Sequence, residues 1–192
     1  SNGTSRKRLA DFKILTFDCY GTLIDWETGI LNALRPLLER LGGRIDDNAA
    51  LEAFARHESA IEAEQPTLNY RKVLAETYGR LCGEWKIALV AADAARFGAP
   101  VPDWPAFADS AAALAYLKQH YKLVILSNID RESFAASCLK LGVAFDAVTT
   151  AEDVGSYKPN PRNFEFMLKH LKESQGAVPG DILHTAQSLF HD

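Results

Sequence analysis

The stretch Lys13-Ile14-Leu15-Thr16-Phe17-Asp18-Cys19-Tyr20-Gly21-Thr22-Leu23 decides the fold of this chain. Its first part, residues 14–17, is a short apolar and partly β-branched run, which predicts a buried strand. An acidic residue, Asp18, follows the run at once, and Gly21 and Thr22 then supply the residues of a tight turn. We therefore predict a core strand that carries a carboxylate at its carboxyl end.

Strands and helices alternate in the second half of the chain. Apolar runs predict strands over residues 122–126, 147–149 and 181–184, and each follows a helical pattern, over residues 105–120, 131–142 and 161–172 respectively. Such alternation predicts an α/β fold, a doubly wound parallel sheet of the Rossmann-like kind with helices on both faces.

Only helical patterns fill the segment between the first and second predicted strands. Apolar residues recur at spacings of three and four over residues 30–41, and further helices are predicted after Asp46-Asp47-Asn48 and near residues 69–85 and 87–97. These helices have no strand to cover, so we predict an inserted helical cap. The predicted division is a core of residues 9–26 and 102–192 and a cap of residues 27–101.

Composition and charge narrow the class of partner. The chain has 192 residues and a formal net charge of −4, without the basic surface that nucleic-acid binding needs. No apolar run reaches the ~18 residues of a membrane span. Three scattered cysteines favour reduced thiols and a cytoplasmic location. We expect a small-molecule substrate, no nucleic acid and no membrane partner, and the sequence is compatible with a homodimer.

Polar residues fall where the predicted strands end. These residues are Asp18, the pair Ser127-Asn128, Lys158 and Asp192. In a doubly wound sheet, ligands bind beyond the carboxyl ends of the strands. We therefore expect these distant residues to meet in one site.

The order of these residues resembles the haloacid dehalogenase superfamily. Residues 17–23 resemble its first motif, residues 125–128 its second, Tyr157-Lys158-Pro159-Asn160 its third, and residues 181–192 its fourth. The resemblance covers residues 11–192 and implies a hydrolase with Asp18 as nucleophile. A carboxylate can displace a leaving group and be released from the resulting ester by water. The alternative reading of Asp18 is a carboxylate that only caps the turn after the strand.

The same resemblance implies roles for the other motif residues. Thr22 would hydrogen-bond the nucleophile or a bound anion, and Lys158 would hold Asp18 ionised. Ser127 and Asn128 would offer donors to an anion, although both residues also suit simple helix capping. Asp192 would orient or deprotonate the attacking water.

Two positions separate a dehalogenase from a phosphatase. Phosphatases of this superfamily carry a second Asp two residues after the nucleophile, where this chain has Tyr20, a poor acid at neutral pH. They also ligate magnesium with an acid at the start of the fourth motif, where this chain has Gln187. A halide leaving group needs no proton, so we predict a metal-free reaction without a cofactor, and no metal site. Magnesium enters only under the alternative of a small-molecule phosphatase.

The predicted substrate is a small 2-halo-carboxylate, such as a haloacetate. Halide would leave toward Asn128 and an arginine of the cap, and Tyr20 and Trp26 would line the pocket. Arg56 is the predicted clamp for the substrate carboxylate, with Arg71 and Arg80 as rivals. Phe164 stands where similar dehalogenases often carry Tyr, which leaves the substrate less defined than the nucleophile.

A second alternative is a non-catalytic binding protein on the same fold. The chain ends at the fourth motif, whereas a complete core of this superfamily usually continues with another helix and strand. On this reading the chain is a truncated form with an incomplete site.

Overall fold

A parallel sheet forms the centre of the molecule. The structure, a computed structural model, describes residues 7–20 and 22–185. Its strands are β1 (Ile14–Phe17), β2 (Lys122–Ser127), β3 (Ala147–Thr150) and β4 (Ile182–Thr185), arranged in the order β3-β2-β1-β4. Every pairing is parallel, with Ile14 beside Lys122 on one side and Ile182 on the other. The predicted α/β fold is confirmed.

Helices separate the strands in the order that the sequence predicts. They are α1 (Trp26–Arg40), α2 (Asp47–Glu64), α3 (Tyr70–Glu84), α4 (Ala91–Arg96), α5 (Ser110–Lys118), α6 (Arg131–Leu141), α7 (Ala151–Val154) and α8 (Pro161–Gln175). Side chains cap several of their N-termini: Asp46 accepts from the Ala49 N–H at 2.7 Å, and Asn69 accepts from the Lys72 N–H at 2.9 Å. Gly142 ends α6 in the left-handed region at φ 70°, where glycine carries no Cβ penalty.

The two faces of the sheet bury different side chains. Leu15 and Phe17 belong to a large cluster that continues into α1, α2 and α3, whereas Ile14 packs with Met167 and Leu171 of α8 on the opposite face. This alternation follows from the pleat, which points successive side chains to opposite sides. The sheet is therefore covered on both faces, and its carboxyl edge is left for a site.

Helices α1 to α4 all lie between β1 and β2 in the chain, as predicted for a cap. The turn after β1 is held close to the returning chain, because Ile24 pairs with Ala106 and the Asp25 N–H donates to Pro105 O at 2.7 Å. Gly29 of α1 lies in close contact with Trp104, and a Cβ there would stand 2.2 Å from Trp104 Cδ1. Glycine is thus required where the cap meets the core. The boundaries at residues 27 and 101 stay a prediction.

Two predicted helices were too long. The helix predicted over residues 87–97 forms only at Ala91–Arg96. The helix predicted from Pro105 begins at Ser110, because the residues before it are committed to the turn after β1: the Phe107 N–H donates to Leu23 O at 3.1 Å. Tertiary pairing overrides helix propensity there. Among the described helices, none is long and apolar enough to cross a membrane.

Candidate active site

Asp18 and Lys158 form a buried ion pair at the carboxyl edge of the sheet. Asp18 follows β1 and Lys158 precedes α8, and their side chains meet with Lys158 Nζ 3.4 Å from Asp18 Oδ1. Asp18 is 7% exposed and Lys158 is 5% exposed. A cation at this distance favours the charged form of the carboxylate. Residues remote in sequence therefore meet as the strand-end argument predicts.

Ser127 and Asn128 follow β2 and complete the core side of the site. The Ser127 hydroxyl accepts from the Ile129 N–H at 3.2 Å, in a fully buried position. Asn128 Oδ1 accepts from the Lys158 N–H at 2.7 Å, and its Nδ2 donates to Lys158 O at 3.1 Å. These two hydrogen bonds between the Asn128 side chain and the Lys158 backbone fix the loop that carries Lys158. Asn128 Nδ2 also donates to Glu62 Oε2 at 3.1 Å.

A cleft of about 840 Å³ opens over this edge, between the core and the cap. The predicted residues that line it are Asp18, Tyr20, Trp26, Arg56, Ser127, Asn128 and Lys158. Trp26 packs on Phe54 of α2 at a ring distance of 5.9 Å, so it belongs to the wall of the cap. The structure therefore brings seven of the nine predicted site residues to one cleft, which leaves Thr22 and Asp192.

Two predicted site residues, Thr22 and Asp192, are not among those that line the cleft in the described part of the chain. Thr22 is half-buried in the turn after β1 and does not line the cleft as the structure describes it. Asp192 lies outside the described residues, as do Gly21 and Gln187. The predicted roles of Thr22 and Asp192 stay predictions.

Cys19 and Tyr20 directly follow the nucleophile in the chain, but neither side chain takes part in proton transfer. The Tyr20 hydroxyl bonds the Ser137 hydroxyl at 2.8 Å, and burial raises the pKa of the Tyr20 phenol. Cys19 is fully buried in the cluster of Leu15 and Phe17, and burial raises the pKa of its thiol. Neither group is poised to give or take a proton at neutral pH.

Two acids of the cap, Glu58 and Glu62, were missed by the sequence argument. They lie one turn apart on α2 and both line the cleft. The Tyr70 hydroxyl donates to Glu58 Oε2 at 2.7 Å. Burial is the main cause that raises the pKa of Glu58 to about 7, and burial followed by the charge of Glu58 raises the pKa of Glu62 well above its usual value.

The sequence does contain a signal for these acids. The apolar face of α2 recurs at Ala50, Phe54 and Ile61, and Glu58 and Glu62 fall on that same face at spacings of four. Acids on a buried helix face are rare unless they are paired or functional. That pattern could have identified them.

Arg56 reaches the cleft but is already paired. Its Nη2 lies 2.9 Å from Glu84 Oε1, and its side chain is 58% exposed. The rivals are paired too, Arg71 with Glu132 at 3.4 Å and Arg80 with Glu64 at 2.5 Å, and neither is in the lining. Of the three candidate arginines, only Arg56 brings its positive charge to the lining of the cleft.

The described residues do not offer a metal centre. Within residues 7–20 and 22–185, no group of three or more His, Cys, Asp or Glu side chains is arranged to hold a metal ion. His184 bonds the Thr16 hydroxyl at 2.6 Å through Nδ1, and His57 lies 3.3 Å from Glu84.

Solved structures of several L-2-haloacid dehalogenases have a fold similar to that of this chain. L-2-haloacid dehalogenase PA0810 is 21% identical over 94% of this chain and 78% of its own, with a TM-score of 0.74. L-2-haloacid dehalogenase from Xanthobacter autotrophicus is 21% identical over 94% of this chain and 71% of its own, with a TM-score of 0.73. The defluorinating L-2-haloacid dehalogenase Rha0230 is 20% identical over 91% and 73%, with a TM-score of 0.68. No curated protein matches by sequence.

A family model settles the broader assignment. The model for haloacid dehalogenase-like hydrolases matches residues 12–185, which include the strand of Asp18, the loop of Ser127 and Asn128, and Lys158. The match spans the core and the inserted helices alike. Since the model matches most of the chain, the chain belongs to the haloacid dehalogenase-like hydrolase family.

Proposed function

We propose that this chain hydrolyses the carbon–halogen bond of small 2-halo-carboxylates through an ester formed on Asp18. The observation that carries the proposal is the buried Asp18–Lys158 pair at 3.4 Å, in a cleft where the position two residues after the nucleophile holds Tyr20. The Tyr20 hydroxyl is engaged with Ser137, so the core offers no acid at that position. Displacement of a halide needs none.

The reaction proceeds in two steps. In the first, an Asp18 oxygen attacks C2 of the substrate and the halide leaves with the electron pair of the broken bond. Lys158 stabilises the Asp18 carboxylate before attack, and Arg56 supplies positive charge at the cap side of the cleft for the substrate carboxylate. In the second step, water attacks the Asp18 ester carbonyl, which releases the 2-hydroxy acid, gives one proton to the solvent and restores the carboxylate.

The experiment is halide release combined with oxygen labelling. We expect the protein to release halide from at least one of fluoro-, chloro- and bromoacetate or 2-halopropionate. In water enriched in heavy oxygen, label should enter the Asp18 carboxylate during multiple turnovers. Label found only in the product after a single turnover would contradict the ester, because the product oxygen would then come directly from water.

A magnesium-dependent phosphatase is the second candidate, and one observation favours it. Glu58 lines the cleft with a pKa raised to about 7, so the cap holds a carboxylic acid able to protonate a leaving oxygen. Cleavage of p-nitrophenyl phosphate that stops on addition of a chelator, without halide release from any haloacid, would establish this candidate in place of the first.

A further inference from the structure

The loop before α8 carries Lys158, and core side chains fix this loop at two residues. Asn128 holds the Lys158 backbone through its N–H at 2.7 Å and its C=O at 3.1 Å. The buried Asn163 side chain of α8 donates from Nδ2 to Ser156 O at 2.6 Å. Tyr157 lies between these two fixed residues, and it belongs to the third motif but has no part in either reaction step. Its own contacts decide how the middle of the loop is held.

Tyr157 ties this loop to the cap. Its side chain is buried in the large cluster of the sheet, and its hydroxyl donates a hydrogen bond to Leu68 O, in the connection between α2 and α3. Leu68 is itself held in that connection, because its N–H donates to Gln65 O at 3.1 Å. Tyr157 is not among the described residues that line the cleft. Any effect of its hydroxyl on the reaction therefore has to pass through a neighbouring residue.

A second hydrogen bond joins the same loop to the cap. Asn128, which holds the Lys158 backbone, also donates from Nδ2 to Glu62 Oε2 on α2 at 3.1 Å. A carboxyl group keeps an acceptor oxygen whether it is protonated or ionised, so this bond does not depend on the charge of Glu62. The cap thus contacts the lysine loop at two separate points, through Leu68 to Tyr157 and through Glu62 to Asn128.

The distance between Lys158 and Asp18 makes the position of the loop important. Lys158 Nζ lies 3.4 Å from Asp18 Oδ1, whereas a charge-assisted N–H···O hydrogen bond is about 2.7–2.9 Å long. Because the pair is buried, its attraction is screened little by solvent and depends strongly on the separation. A misplacement of about 1 Å can cost about 100-fold in rate. A small movement of the loop is therefore enough to change the reaction.

We infer that Tyr157 is a positioning residue that acts through Lys158, because its hydroxyl ties the loop of the lysine to the cap at Leu68. The inference rests on the proposed function for its activity assay, and it adds a link between the cap and the nucleophile. Loss of the hydroxyl leaves the aromatic ring in the core but frees the loop from Leu68, so Lys158 spends less time in contact with Asp18. Substrate binding is unchanged, since Tyr157 lies outside the lining of the cleft.

The substitution Tyr157→Phe tests this role, because it removes the hydroxyl and keeps the ring. We expect kcat for halide release to fall about 10-fold, with KM within about twofold of the parent. Tyr121→Phe is the matched control: the Tyr121 hydroxyl also donates to a backbone carbonyl, Leu9 O at 3.1 Å, and the residue lies outside the lining of the cleft. The control should match the parent. An unchanged kcat in Tyr157→Phe, with or without a rise in KM, would overturn the inference.

A double-mutant cycle shows whether the effect passes through the lysine. In the Lys158→Met background the amine is gone, so Tyr157→Phe should lower the remaining kcat by less than about twofold. A tyrosine that acted independently of the lysine would cost the same factor in both backgrounds. Equal losses of kcat in the two backgrounds would therefore contradict the assignment.

Amide hydrogen exchange separates this inference from the proposed function, because it needs no turnover. The probe is the Lys158 N–H, which donates to Asn128 Oδ1, and the reference is the Asp146 N–H, which donates to Leu123 O at 2.8 Å in the core. We expect Tyr157→Phe to speed the exchange of the Lys158 N–H about 10-fold more than that of the Asp146 N–H. If no haloacid releases halide but this difference is found, the proposed function fails and the positioning role stands. If both amides change by the same factor, the positioning role fails.

Discussion

The two walls of the cleft treat the same chemical group in opposite ways. On the core wall, the Asp18 carboxyl is buried 3.4 Å from Lys158, and Asn128 fixes the loop that carries the lysine. On the cap wall, Glu58 and Glu62 are close to each other, and burial raises the pKa of both carboxyl groups. The core wall thus stabilises a charged carboxylate, whereas the cap wall favours a protonated one.

This contrast gives carboxyl groups of the same chemical kind different protonation states on the two walls. An ionised carboxylate is needed to attack carbon, and a neutral carboxyl is needed to donate a hydrogen bond. The environment makes the difference, through one cation on the core side and one neighbouring acid on the cap side. Mutations on the two walls should therefore produce different kinds of effect.

The largest effect is expected from Asp18→Asn. The amide cannot act as the nucleophile, so kcat for halide release should fall by at least about 10⁴-fold. The measurement is a halide-release assay with the purified variant. Asp109→Asn makes the same change on an exposed residue before α5 and should keep full activity. An Asp18→Asn variant within tenfold of the parent would remove Asp18 from the role of nucleophile.

Lys158→Met is expected to weaken both activity and stability. It leaves the buried Asp18 carboxylate without its cation, which should lower kcat by about 10²-fold and the free energy of unfolding by about 3 kcal/mol. Urea titration and the halide assay measure the two effects. Lys169→Met, at an exposed position of α8, is the matched control and should change neither by much. If Lys158→Met changed neither kcat nor the free energy of unfolding, the Asp18–Lys158 pair at 3.4 Å would contribute to neither activity nor stability.

Glu58→Gln is expected to change how stability depends on pH. Because folding raises the pKa of Glu58 to about 7, the folded state binds more protons than the unfolded state between about pH 4.5 and 7. This contribution to stability is present below that window and is lost as pH rises through it. Its size is on the order of 2 kcal/mol. We expect the variant to lose less stability than the parent across the window.

Urea titrations at pH 5 and pH 8 measure this difference. The exposed variant Glu52→Gln serves as the control and should retain the parent's dependence. Parallel curves for Glu58→Gln and the parent would mean that Glu58 is not held in a raised pKa, and the contrast between the walls would then rest on Glu62.

The smallest effect is expected from Arg56→Ala. Since the side chain is 58% exposed and paired at the surface with Glu84, the free energy of unfolding should change by less than about 1 kcal/mol. If Arg56 holds the substrate carboxylate, KM should rise by about 10-fold while kcat is unchanged. Arg96→Ala, on exposed α4, should leave KM as it is. An unchanged KM in Arg56→Ala would remove Arg56 as the clamp.

The sequence predicted the core wall well because strand ends are local features. A hydrophobic run followed by Asp18, and another followed by Ser127 and Asn128, place these residues at one edge of any parallel sheet. The cap wall is different, because the orientation of α2 over the cleft depends on how the inserted helices pack. Periodicity locates Glu58 and Glu62 on the buried face of α2, but it does not say that this face meets Lys158.

The predicted ends of two helices were wrong for a related reason. The apolar pattern after Pro105 suits a helix, and nothing local in residues 105–109 indicates that they pair with the turn after β1. Contacts between segments far apart in the chain decided the outcome. The same holds for Gly29, whose lack of a side chain is explained only by Trp104.

The position of β1 in the middle of the sheet has a consequence for biosynthesis. Strand β1 cannot pair on either side until its partners have left the ribosome, because Ile14 pairs with Lys122 of β2 and with Ile182 of β4. Pairings this distant slow folding, whereas the α2–α3 hairpin can form from local contacts alone. The nascent chain should therefore form the helices of the cap before the sheet of the core. Strand β1 would then need protection from aggregation until β4 is made.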